Sequence, residues 1–101
     1  MNTPVLIYDL DATRKIVLAR LRDYRARVYL FGSQATGKAR VYSDIDVAVL
    51  PLQKLPISIF SEIHEELEES DIVRTVDVVD LTEADESFCQ RVEREGIIWR
   101  E

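Results

Sequence analysis

The chain has 101 residues, 47% of them apolar and 32% charged, with 13 basic and 19 acidic side chains for a net charge of −6. That length allows one domain, residues 1–101, with a single core and no room to enclose two substrates. The acidic balance argues against a polymerase, or any protein that grips long nucleic acid through its phosphates. No apolar stretch reaches membrane-spanning length, the amino terminus lacks a basic-then-apolar secretion signal, and the single Cys89 permits no internal disulfide. The expected compartment is a reducing cytoplasm.

From Asp11 onward, Val17, Leu18, Leu21 and Tyr24 recur at helical spacing and predict an amphipathic helix. Strands follow at Val28 to Phe31 and Ile45 to Leu50, joined by a loop that carries a short helical turn. Pro51 and Pro56 bracket the connection to a second helix, whose stripe Ile59, Phe60, Ile63 and Leu67 faces the core. Its run of Glu62, Glu65, Glu66, Glu68 and Glu69 is expected to be a solvated face. The β-branched density of Arg74 to Leu81 predicts a third strand. Thr82 and Asp85 then form a capping-box pattern for a last helix, which ends near Gly96 in an expected left-handed cap. Ile97, Ile98 and Trp99 close the chain and are expected to pack against the sheet. The order αβ(α)βαβα implies an α/β domain with a small mixed sheet of about three to four strands and helices packed on one side.

The chemistry concentrates between residues 29 and 50. Tyr29-Leu30-Phe31 is a buried strand that runs into Gly32-Ser33 and a turn, Gln34-Ala35-Thr36, closed by Gly37. Such a junction exposes backbone N–H groups, and Gly32 lets a phosphate approach the main chain. Ten residues after Ser33, Asp44-Ile45-Asp46 opens the apolar run Val47 to Leu50. Strand side chains alternate, so Asp44 and Asp46 share a face and can share a metal ion. Paired carboxylates suit magnesium, whose shell substrate phosphates complete. A phosphate cradle and a metal clamp are therefore adjacent.

Other readings of these residues are weaker. Gly32 to Lys38 spells most of a P-loop, but Ala39 stands where Ser or Thr must hold magnesium, and no long helix fits before Asp44. The Asp-x-Asp glycosyltransferases are much larger folds. A purely structural reading makes Ser33 a turn cap and Asp44 and Asp46 solvated strand-end residues, yet it leaves their register unexplained.

Two-metal phosphoryl transfer needs a third carboxylate, usually from a neighbouring strand. Asp77 is favoured because Val76 and Val78 flank it, an environment in which an ionised carboxylate is costly without a cation. Its rival Asp80 lies at the strand end beside Thr82, where capping suffices. Ser33 and Gly32 would contact the β- or γ-phosphate. Lys38 and Arg40 either reach the triphosphate, as point charge and fork, or stand as plain loop cations. His64 and Cys89 are expected to be structural.

The string Gly32-Ser33-Gln34-Ala35-Thr36-Gly37 through Ser43-Asp44-Ile45-Asp46-Val47 resembles the signature of the polymerase-beta-like nucleotidyltransferases. It is most similar to their minimal members, encoded beside HEPN-type ribonuclease toxins, over Val28 to Trp99. The resemblance implies that fold, with the third acid inside the strand that holds Asp77. It implies two magnesium ions on Asp44, Asp46 and Asp77, with ATP as substrate. It also implies an enzyme that transfers AMP to a tyrosine of its cognate HEPN toxin and so acts as antitoxin. An antitoxin that neutralises by binding alone is the competing class, although it has no physical need of a metal site. A nucleotidyltransferase for aminoglycoside-like small molecules normally carries an additional substrate-binding region.

Overall fold

A computed structural model describes residues 4–39 and 43–101. Helix α1 (Pro4–Arg20) leads to strand β1 (Ala26–Phe31), the single-turn helix α2 (Ser33–Thr36) and strand β2 (Ile45–Pro51). Helix α3 (Ile59–Glu69) then crosses to strand β3 (Val76–Asp80), a 3₁₀ turn (Leu81–Glu83), helix α4 (Glu86–Glu95) and strand β4 (Ile97–Arg100). The sheet order is β3-β2-β1-β4. β1 runs antiparallel to β2 and β4, while β2 and β3 are parallel, a pairing that needs the crossover α3 supplies.

Alternation along the strands divides the residues between two faces. Val28 and Leu30 of β1 and Ile45, Val47 and Val49 of β2 are buried with Val17 and Leu21 of α1 and Ile59, Ile63 and Leu67 of α3. Helices α1 and α3 thus pack on one side, and Arg20 of α1 ties them together through a 2.6 Å ion pair with Glu66 of α3. The opposite face carries Tyr29 and Ala48, covered by Leu81 of the 3₁₀ turn and Val92 of α4. Phe31, Phe88 and Cys89 pack around them. Helix α4 covers this second face, so the helices are not confined to one side as expected: its apolar residues Phe88 and Val92 recur at helical spacing and must be covered. Among the described residues no helix is long and apolar enough to cross a membrane.

Three local expectations are corrected. The first helix begins at Pro4 rather than Asp11. Its buried stripe runs Leu6, Asp9, Thr13, Val17, Leu21, and the two polar members hide the apolar period. Asp85, not Thr82, is the cap of the last helix: its carboxylate accepts from the Phe88 N–H at 2.7 Å, and Thr82 sits within the 3₁₀ turn. Gly96 has φ −75° and is not left-handed. A Cβ there would meet the Val92 carbonyl oxygen at 2.5 Å and that of Leu30 at 3.2 Å, so glycine lets the chain turn tightly from α4 into β4. The closing segment forms the edge strand β4, with Trp99 packed against the main core.

Candidate active site

β1 delivers the chain to Gly32, which adopts φ 75° and ψ −155°. L-residues rarely adopt this backbone conformation. A Cβ at Gly32 would lie 2.6 Å from Oδ2 of Asp46, so the glycine both makes the turn and leaves space for that carboxylate. The N–H groups of Ala35 and Thr36 donate to the Gly32 carbonyl at 3.0 and 3.2 Å, which builds α2. Gly37, at φ 77°, ends it in a left-handed cap. The Gln34 side-chain amide donates to the Ser43 carbonyl at 3.2 Å and links α2 to the residue before Asp44.

On β2 the three residues Ile45, Val47 and Val49 point into the core, so Asp46 between them points to the other face. Asp77 is its register partner on β3. In a parallel pair at this register both side chains stand on the same face of the sheet. Asp46 is half-buried, while Asp44 and Asp77 are exposed. Burial pushes the Asp46 carboxyl above the usual carboxylate range, and the charges of Asp77 and then Asp44 raise it further. The charges of Asp77 and Asp44 are therefore near enough to act on Asp46.

Asp80 does not join them. It pairs in register with Val49, on the core-facing side, and its carboxylate accepts from the Thr82 N–H at 2.9 Å. The chemistry of the donor set, all carboxylate oxygen, fits magnesium, and the convergence of negative charge gives a divalent cation something to neutralise. Among the described residues no group of three possible ligands is already drawn together as a metal set. Magnesium does not require one, since it is usually held by one or two carboxylates, with water and phosphate oxygens filling the rest.

Beside Gly32 opens a cleft of about 440 Å³, lined by Phe31, Gly32, Ser33, Thr36, Lys38, Arg91, Val92 and Glu95. The cradle residues Gly32, Ser33 and Lys38 are thus gathered at one cleft, whereas Arg40 lies outside the described residues. Sequence reasoning missed Thr36 and Arg91. The one signal for Arg91 is its spacing of three from Phe88 on a helix, which puts both on neighbouring positions of one face. His64 is half-buried and lines a separate cleft with Leu67, Ile72 and Thr75. Cys89 packs beside Leu81, and its thiol donates to the Leu81 carbonyl at 3.5 Å.

Residues 16–99 match the family described as Polymerase beta, Nucleotidyltransferase. A Haemophilus influenzae protein named "Probable protein adenylyltransferase MntA" is 29% identical over 93 residues, covering 92% of this chain and 80% of that one. A crystal structure of a toxin-antitoxin with AMP-PNP contains a chain that matches with a TM-score of 0.65 at 34% identity, covering 85% of this chain and 71% of its own. A structure of a tri-AMPylated Shewanella oneidensis HEPN toxin in complex with MNT antitoxin matches with a TM-score of 0.58 at 31% identity, covering 88% and 70%.

Proposed function

The chain belongs to the polymerase beta nucleotidyltransferase family, and on that premise we propose that it transfers AMP from ATP to a protein hydroxyl, a tyrosine of a cognate HEPN-type toxin, and so serves as the antitoxin. The observation that supports this most is the facing of Asp46 and Asp77 across adjacent strands, with Asp46 fitted against the missing side chain of Gly32. The similarity to an adenylyltransferase and to the AMPylated toxin complex supports the choice of nucleotide and partner.

Asp44, Asp46 and Asp77 would hold two magnesium ions. When bound, these neutralise the triphosphate and favour departure of pyrophosphate. Gly32 brings the backbone up to the phosphates, and the Ser33 hydroxyl donates to the β- or γ-phosphate. Lys38, which lines the same cleft, adds positive charge there, and Arg40 is proposed as a second cation for the triphosphate. The acceptor oxygen bonds to the α-phosphorus, the bond from that phosphorus to the bridging oxygen breaks, and pyrophosphate leaves with the electron pair. Asp77, exposed at the sheet face, is open to a side chain from another protein; it orients the acceptor and takes the hydroxyl proton. Most of the rate enhancement is positioning and charge neutralisation. The reaction suits a cytoplasmic protein, and with a net charge of −6 no long nucleic acid is expected as substrate.

The test is label transfer with magnesium present. α-Labelled ATP should label the partner and γ-labelled ATP should not; label from the γ-position would make the protein a kinase. Asp44→Ala and Asp46→Ala should each lower transfer by at least about a hundredfold with the circular dichroism spectrum unchanged. Either variant keeping most of its activity would overturn the assignment of these carboxylates.

A further inference from the structure

Building on the nucleotide site just described, we propose that Arg91 is the second wall of the phosphate cradle, a positioning residue that grips the β- and γ-phosphates of the nucleoside triphosphate. It reaches the cleft from α4, far along the chain from Gly32 and Ser33. Its guanidinium carbon lies 5.5 Å from the centroid of the Phe88 ring. Phe88 in turn meets Phe31 edge-on, with centroids 5.5 Å apart and planes at 90°. Phe31 is the residue before Gly32 and the register partner of Asp46. A chain of one edge-on aromatic contact and one cation–π contact thus links the guanidinium to the strands that carry Gly32 and Asp46.

A cation held over an aromatic face in this way makes no hydrogen bond to it, so the N–H fork of the guanidinium stays available to bind two phosphate oxygens at once. Among the described residues no carboxylate pairs with Arg91, whereas the adjacent Arg94 pairs with Glu95 at 3.4 Å. Among the described residues Lys38 has no ion-pair partner either, so the cleft offers two cations, Arg91 and Lys38, in a chain whose net charge is −6. Gly32 borders both halves of the site: its α-carbon lies against Asp46, and it also lines the cationic cleft. A triphosphate laid across that boundary puts its α-phosphate beside the carboxylates and its β- and γ-phosphates beside Arg91.

Calorimetric titration of the whole chain with AMP-PNP and with AMP, magnesium present, tests this. Arg91→Ala should weaken AMP-PNP about ten- to a hundredfold and leave AMP unchanged, with an unaltered melting temperature because Arg91 is exposed. Arg91→Lys, which keeps the charge but not the fork, should fall between. Inorganic tripolyphosphate should compete with AMP-PNP on the wild type and only weakly on Arg91→Ala. If Arg91→Ala binds AMP-PNP as tightly as the wild type, or loses AMP to the same extent, Arg91 is only a surface cation on Phe88 and the proposal falls, leaving AMP transfer untouched. If the Arg91 dependence holds and no α-label ever transfers, the subsite stands and the transfer reading fails. A wild type that binds no nucleotide overturns both.

Discussion

Asp9 and Asp46 are both drawn away from water, and they keep opposite company. Asp9, wholly buried on α1, accepts from the Val73 and Arg74 N–H groups at 3.4 and 3.2 Å and from the Arg74 guanidinium at 3.1 Å. It pins the first helix to the approach of β3. Asp46, on the other face of the sheet, has Asp44 and Asp77 for electrostatic neighbours. One carboxylate is satisfied within the chain, and the other is set among like charges that only a cation from outside relieves. Under the proposed function the difference separates a structural acid from a functional one: the same residue type stabilises where it is paired and is a candidate for chemistry where it is left in conflict.

The largest effect should come from breaking the satisfied side. Asp9→Ala removes the carboxylate that pairs with the Arg74 guanidinium, which is 9% exposed. A loss of about 3–5 kcal/mol follows from removing one partner of a buried pair, or at least about 10 °C in melting temperature for a domain of this size. A shift of only a degree or two would show that the pair contributes nothing to the fold.

On the unsatisfied side the expected direction reverses. Asp77→Asn should reduce AMP transfer by about a hundredfold or more while the melting temperature without magnesium holds or rises, because repulsion at Asp46 is relieved. The stabilisation that magnesium gives the wild type should shrink in the same variant. Asp80→Asn should alter neither transfer nor magnesium response, and it should keep the cap, since Asn and Asp serve almost equally at that position. Loss of transfer at Asp80 instead would exchange the two roles.

The smallest effect is a pH dependence. Because the Asp46 carboxyl sits above its ordinary value of 3.8, the fold favours its protonated form. Its contribution to stability is fully present below pH 3.8 and is lost as pH rises through the raised value. With magnesium chelated, Asp46→Asn should therefore melt level with the wild type in strong acid and above it at neutral pH. A melting difference that stays constant with pH would remove the like-charge account of Asp46.

What the sequence made legible was local. The Gly32-Ser33 turn and the Asp44-x-Asp46 pair lie within fifteen residues, and strand alternation alone puts the acids on one face. The choice of Asp77 over Asp80 also needed only alternation and the cost of an unpaired charge; in the fold Asp77 is the register partner of Asp46 and Asp80 that of Val49. The features that escaped are long-range. Asp9 finds Arg74 across 65 positions, and before that pairing is known it looks like an interruption of the helix stripe. Arg91 enters the cleft only because α4 folds across β1. Ile97 and Ile98 become strand because β1 presents an open edge, not because four residues carry a pattern of their own.

The central claim, that the carboxylates in conflict are there to transfer AMP and not merely to shape a binding surface, is tested most directly by the intact mass of the HEPN-type partner after co-expression. With the wild-type chain, the partner should gain one or more AMP units and lose its toxicity. With Asp46→Ala, it should keep its unmodified mass and remain toxic. A partner silenced equally by both chains, with no change in mass, would contradict the account and make this protein an antitoxin by binding alone.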